Sequence, residues 1–507
     1  MPLLYSSIAK KAFMLKNIRR VLALICFTLL TLLFLDVSGV LHHWLGWLAK
    51  LQFLPAILAL NVAVGVILCV LTLVFGRIYC SVICPLGVMQ DVFAWLGKRQ
   101  KKNRYNYSPE VRWLRYPLLI VMVVALVAGV NIIVSLLEPY SAYGRIVNSL
   151  MHPLYAWVNN GLALLAERMD SYAFYSVDVW LKSLPTLAVA AVTLVVLAVL
   201  AWRGGRTYCN TICPVGTLLG FLARFSWLKV RIDTDKCISC GLCSKNCKAS
   251  CIDFKNHRID YSRCVVCGDC IGKCNKQALH YVPTKRNTSA QTSETNATPD
   301  SSRRAFLVVS ALTATAALAQ EGKKVDGGLA VVEQKVAPVR QTPVTPPGSL
   351  SASHMAQHCT ACQLCVTTCP NDVLRPSSSL SMFMQPTSSF ERGFCRPECV
   401  KCSEVCPTGA IRPITRAEKT AIQVGHAVWI KKNCVPLTDE RECGNCARHC
   451  PAGAITMVPL DENDGASLHV PAVNEARCIG CGACEHVCPA NPLSAIIVEG
   501  HEVHRTI

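Results

Sequence analysis

The stretch "CISCGLCSKNC" (237–247), followed by "CVVCGDCIGKC" (264–274), decides how this chain is read. Each has the spacing C-x2-C-x2-C-x3-C. Three closely spaced thiolates wrap one face of an iron–sulfur cubane, and the fourth, three residues on, points away to a second cubane. The spacing therefore predicts two [4Fe–4S] sites, Cys237, Cys240, Cys243 with Cys274, and Cys264, Cys267, Cys270 with Cys247. Zinc ribbons use two separated C-x2-C knuckles instead.

The same grammar recurs four times near the C-terminus. Cys359, Cys362, Cys365 and Cys369 are regular. Cys395, Cys399, Cys402 and Cys406 carry one extra residue in the first gap. Cys434, Cys443, Cys446 and Cys450 have a long first gap, and Cys478, Cys481, Cys484 and Cys488 are regular again. With the first two runs this uses 24 of 31 cysteines, enough for six clusters. Metal-bound thiols are deprotonated, so six clusters of about −2 each reduce the formal charge of +19 to roughly +7. What remains lies mostly near membrane ends, which argues against a nucleic-acid partner.

Hydrophobic residues make up 52% of the 507-residue chain and charged ones 16%, so part of it is expected in lipid. Four apolar runs of about spanning length lie at 21–41, 56–75, 117–137 and 184–202. Lys10, Lys11, Lys16, Arg19 and Arg20 precede the first, and Lys98 to Arg115 follow the second, whereas 138–183 is poor in Lys and Arg. The positive-inside rule puts the N-terminus, the 98–115 loop and the residues after the fourth run in the cytoplasm.

A repeat sits on this frame. "GRIYCSVICPLG" (76–87) and "GRTYCNTICPVG" (205–216) close the second and fourth runs, 129 residues apart, implying two equivalent halves. Cys80 with Cys84, and Cys209 with Cys213, have i, i+4 spacing on a helix, with Pro85 and Pro214 just beyond. Packing residues, a bound metal or cluster, and a dithiol pair beside a quinol pocket all remain open for these four. Cys26, Cys69 and Cys251 read as inert, and His42-His43 as interfacial. No His lies within the four runs and no C-x-x-C-H occurs, so neither an intramembrane haem nor a covalent one is expected; no flavin fingerprint is present.

"SSRRAFLVVSALTATAALAQ" (301–320) has the form of an export signal, with Arg303-Arg304 and a small-x-small site at Ala317-Leu318-Ala319. A domain that folds around clusters must cross a membrane already folded, which is the task of the twin-arginine route. The same residues also fit an ordinary anchor helix, or a segment that does not cross.

Residues 1–280 resemble the membrane-bound quinol-dehydrogenase subunit of periplasmic nitrate reductase systems, with four spans, two C-x3-C-P motifs and a ferredoxin module; "EPYSAYGRI" (138–146) is a weaker match. Residues 301–507 resemble its exported four-cluster partner, so the chain looks like a fusion of the two. Lys248 and Asn275 depart from the pattern, which has Pro after the last Cys. The resemblance implies a nested pairing in the last domain. Cys359, Cys362 and Cys365 would join Cys488, and Cys478, Cys481 and Cys484 would join Cys369. Cys395, Cys399 and Cys402 would join Cys450, and Cys434, Cys443 and Cys446 would join Cys406.

The expected architecture is multi-domain: an α-helical membrane bundle of four spans plus a fifth, with two ferredoxin-like α+β iron–sulfur domains. Residues 1–20 form a basic cytoplasmic N-terminus, 21–225 the membrane domain with its repeat, and 232–282 a cytoplasmic two-cluster domain. A linker (283–304), the signal or anchor helix (305–320) and a second linker (321–353) lead to a periplasmic four-cluster domain (354–507). The expected function is electron transfer at the bacterial inner membrane, from the quinone pool through [4Fe–4S] clusters to a periplasmic terminal reductase such as nitrate reductase. A redox sensor or a maturation factor for a periplasmic metalloenzyme is the alternative.

Overall fold

In the computed structural model, residues 2–36, 40–99, 105–171, 174–177, 179–283, 335–461 and 467–507 are described. The expected signal helix at 305–320, and most of both linkers, lie outside the described residues.

Helix α1 (Pro2–Leu35) holds the first apolar run as far as Leu35. After α2 (Val40–Lys50) the second run forms two helices, α3 (Phe53–Leu58) and α4 (Val62–Phe75), separated where Leu60 takes a positive φ of 54° and Asn61 caps α4. The third run is likewise broken, into α7 (Arg112–Val127) and α8 (Asn131–Leu137), at Gly129 with φ 73°. The fourth is continuous as α11 (Leu184–Gly204). Among the described residues, two helices, Lys16–Leu35 and Leu184–Gly204, are thus long and apolar enough by themselves to cross a membrane. The second and third runs are therefore not single continuous helices, because a left-handed residue cannot continue a right-handed helix. Large apolar side chains such as Leu24, Ile67, Val124 and Val195 face outward around the bundle.

Each C-x3-C-P motif is a short helix, a turn and a second helix: α5 (Tyr79–Val82) leads to α6 (Pro85–Arg99), and α12 (Thr207–Thr211) to α13 (Pro214–Ala223). The prolines open helices here rather than closing them, since the first helical position needs no N–H. Between the halves, residues 138–183 contain further helices. Helix α9 (Pro139–Ile146) runs through a π turn at Val147–Met151 into α10 (His152–Glu167), and every residue of α9 is buried.

The first cysteine module is closed by antiparallel pairing of β1 (Leu228–Ile232) with Leu279–Pro283. It sits at one end of the bundle. Lys16 and Arg20 each reach Asp269 at 3.0 Å, Lys98 donates to Asn246 at 2.6 Å, and Arg115 donates to the Ser262 carbonyl at 3.1 Å. Lys248, the departure from the usual proline, explains itself here: its Nζ lies 2.6 Å from Asp91, and its carbonyl accepts from the Arg206 amide at 2.7 Å. Burial alone would raise Asp269, but Lys248, Lys16 and Arg20 hold it down to about 2. Its ion pairs are therefore intact at neutral pH and weaken only as pH falls below the usual carboxylate range toward 2. Lys248→Ala should loosen this end by about 2 kcal/mol, read as faster proteolysis or amide exchange in 228–283 with the cluster content unchanged.

The C-terminal domain sits at the opposite end. Asn131 donates to the Ala356 carbonyl, His42 Nε2 meets Thr368 Oγ1 at 2.9 Å, and Asn148 donates to Gln363 at 2.7 Å. Arg375 and Arg392 lie over the Trp180 ring at 4.3 and 4.6 Å. His42, expected at a lipid interface, is instead buried between Asp36 and this domain. Within the domain, Ile422–Trp429 pairs antiparallel with Ile496–Thr506, and Ile455–Pro459 with His469–Val473.

Candidate metal centres

Cys237, Cys240, Cys243 and Cys274 line one cavity of ≈ 240 Å³ in the first module. Cys247, Cys264, Cys267 and Cys270 line a second. Both groupings are those the spacing predicts. Cys251, read as inert, lines the second cavity too, and its sulfur is 3.5 Å from that of Cys247.

The C-terminal domain corrects the nested pairing. Burial first, and then the neighbouring thiols Cys362 and Cys406, push Cys359 well above the ordinary thiol range; Cys406 is also the thiol from outside the run that faces Cys362. Cys365 faces Cys359, Cys362 and Cys406, with Cys402 further down the same set of neighbours. The sets are thus Cys359, Cys362, Cys365 with Cys406, and Cys395, Cys399, Cys402 with Cys369, the latter thiol facing both Cys395 and Cys402. Cys488 faces Cys434 and Cys446, grouping with the third run, whereas Cys450 shares a cavity with Cys478, Cys481 and Cys484. The reason is local packing. Leu364–Thr368 lies against Lys401–Val405, and Asn445–Arg448 against Ala483–Val487, so neighbouring runs exchange their fourth cysteines.

Among the described residues, no three ligating side chains close on a point as a single metal ion requires. In three of the sets the thiols line cavities instead: those of Cys274, of Cys247 and of Cys450 with their partner runs. Four buried thiols side by side repel one another once ionised, and bound iron cations are what make their joint ionisation favourable.

The repeat builds a further thiol set. Cys80, Cys84, Cys209 and Cys213 are all buried. Cys209 and Cys80 are electrostatic neighbours of both Cys84 and Cys213, which shows that the two motifs come together. Each motif's arginine crosses to the other half. Arg77 donates to the Cys209 carbonyl at 3.2 Å, and Arg206 to the Cys80 carbonyl at 2.6 Å. N–H groups point at the sulfurs: Gln90 to Cys209 at 3.1 Å, the Gly216 amide to Cys213 at 3.3 Å, and the Gly87 amide to Cys84. The last two open α13 and α6, and helix N-termini favour anions.

Both guanidiniums are fully buried, and Arg77 Nε and Arg206 Nη2 have no partner. Arg206 is paired with Asp91 at 2.7 Å, while Arg77 and the spare donors of both guanidiniums give the four thiols a positive, donor-rich surround that suits an anionic group such as an oxidised four-thiolate cubane. A Cβ on Gly87 or Gly216 would lie 2.3 Å from the Cys80 or Cys209 carbonyl. Gly216→Ala should therefore displace the α12–α13 turn, lowering stability by about 1–3 kcal/mol and reducing the iron retained on purification.

Comparison with known proteins agrees with this donor chemistry. The family model described as "4Fe-4S binding domain" matches residues 58–104 and 184–234, which contain the four repeat cysteines, and the "4Fe-4S dicluster domain" matches 441–491. The chain is 31% identical over 165 residues to the methylamine utilization ferredoxin-type protein MauM of Methylobacillus flagellatus, covering 32% of this chain and 70% of that protein. It is 28% identical over 161 residues to the ferredoxin-type protein NapF of Escherichia coli (strain K12), covering 31% and 87%. A protein named for electron transport, YccM of Escherichia coli (strain K12), is 28% identical over 194 residues; this match covers 38% of the chain and about half, 47%, of YccM. No solved structure matches the chain.

Proposed function

We propose, since this chain belongs to the ferredoxin-type iron–sulfur proteins related to MauM and NapF, that it conducts electrons across a membrane from quinol to a periplasmic reductase. In this reading 21–225 is a four-span anchor with broken second and third spans, 228–283 is cytoplasmic and 335–507 periplasmic. The chain is the fusion of a quinol-dehydrogenase membrane subunit with its exported partner, delivered by a twin-arginine signal. Six clusters occupy the sets of 24 cysteines, and a seventh is held by Cys80, Cys84, Cys209 and Cys213. When bound, the clusters supply one-electron transfer, which splits the electron pair of a quinol.

One observation carries this reading: thiol sets lie at both ends of the bundle, and the repeat's set lies between them. Arg77 touches both sides of the first junction, donating to the Ser262 carbonyl at 3.0 Å and to the Cys209 carbonyl. Its positive charge is thus shared by the first module and the repeat's thiols. The basic residues that hold the first module (Lys16, Arg20, Lys98 and Arg115) are also those the positive-inside rule puts in the cytoplasm, and the C-terminal domain contacts the other end. That arrangement supports opposite compartments.

The test is anaerobic purification followed by addition of a reduced menaquinone analogue, with spin resonance at low temperature. Cubane signals should appear on quinol addition. Clusters reducible by dithionite but untouched by quinol would reject quinol as the donor.

A further inference from the structure

The junction between the repeat's thiols and the C-terminal domain is built from residues 138–151, and it contains a charge with no visible purpose in folding. Arg145 is 1% exposed, and none of its three guanidinium nitrogens has a hydrogen-bond partner. Such a group is costly to bury, and a site that keeps one has a compensating anion. Glu138 is within electrostatic reach, yet its carboxylate is engaged by the Ser141 amide at the start of α9. The other neighbours of Arg145 are Tyr208, beside Cys209 and Cys213, and Cys362 of the C-terminal domain. The first half supplies a matching arm: Tyr79 lies beside Cys84 and Cys80 and faces Glu138, which in turn faces Cys362.

The approach is close and shaped for this partner. A Cβ on Gly144 would lie 2.3 Å from the Cys362 carbonyl and 2.9 Å from the Phe34 ring. Only glycine lets the 359–365 loop reach α9. Asn148 then fixes the register through Gln363 at 2.7 Å, and the Tyr140 hydroxyl, buried and unpartnered, lies on the same face near Cys362 and Cys406.

We infer that residues 138–151 are the bridge between the repeat's thiol set and the set Cys359, Cys362, Cys365 and Cys406, and that Arg145 is a positioning residue whose fixed positive charge raises the reduction potential of the latter set's cluster. This rests on the proposed cluster content. Clusters held by Cys80, Cys84, Cys209 and Cys213 and by Cys359, Cys362, Cys365 and Cys406 would supply one-electron transfer across this bridge. No bond is made or broken, no proton moves, and the electron comes ultimately from quinol.

A redox titration of the intact, anaerobically purified chain, followed by spin resonance, tests this. Arg145→Gln should make one cluster at least tenfold harder to reduce, a downward shift of 59 mV or more for one electron. Arg145→Lys should stay within a few-fold of the parent. Glu138→Gln should move the same cluster the opposite way. An unchanged potential in Arg145→Gln, or a matching fall in Arg145→Lys, overturns the inference. If Arg145→Gln assembles too little cluster to titrate, Glu138→Gln decides, and no upward shift there overturns it. The parent's own cubane signals test the cluster content separately, so the two failures are distinguishable.

Discussion

Replacing Cys84 and Cys213 together with serine is expected to remove about four irons per molecule and to abolish electron passage between the two ends of the bundle. The other six sites should keep their iron. Serine is close in size to cysteine, and each motif retains its glycine, proline and crossing arginine, so the bundle should still assemble. The cost falls on the anion that Arg77 and Arg206 neutralise. Without it, the buried Arg77 guanidinium loses its counter-charge while Arg206 keeps Asp91 at 2.7 Å, and some thermal destabilisation should accompany the loss. Iron analysis with spin resonance of the first module and of the C-terminal domain separately reduced provides the check. Unchanged iron, with normal transfer, would make these cysteines packing residues.

The second large effect concerns which cysteines share a cluster. Cys362→Ser and Cys406→Ser should each cost about four irons, and the double variant should cost no more than either alone, because both remove one site. Cys362→Ser with Cys488→Ser should cost about eight. The nested pairing predicts the reverse pattern. A domain whose folding free energy is largely cluster binding should also become protease-sensitive when a site is lost. Cys362 and Cys406 variants should show this first at the junction with 138–151, where the 359–365 loop docks on Gly144.

These two experiments also mark where sequence reading stops. The members of most runs were legible because their spacing is local: in four of the six, three thiols within seven residues can hardly avoid one cubane face. The fourth ligand depends on which runs pack together, and nothing in "CTACQLCVTTC" says that its neighbour is the 395–406 run rather than the last one. The apolar runs were found, but Leu60 and Gly129 break two of them through backbone geometry that a sliding hydropathy average does not register. Residues 138–151 were hardest. The sequence offers only a weak family likeness in "EPYSAYGRI", yet α9 is buried throughout, with thiols among the electrostatic neighbours of Tyr140 and Arg145. The signal was present in retrospect: "GRIYC" and "GRTYC" each place a tyrosine before the first thiol, and "SAYGRI" presents tyrosine, glycine and arginine to meet them. Lys248 was noticed as an irregularity, and its use in docking is visible only once Asp91 is seen beside it.

The central claim is that clusters form one continuous path through the bundle from the first module to the C-terminal domain. The most direct measurement uses sealed vesicles with the chain in a single orientation, the C-terminal domain inside, and a membrane-impermeant reductant of low potential added outside. Spin resonance of samples frozen over time should show the first module's clusters reduced first and those of the enclosed domain following, with the Cys84→Ser, Cys213→Ser variant stopping after the first module. Reduction confined to the first module in the parent chain, with the enclosed clusters still reducible after the vesicles are opened, would contradict the account.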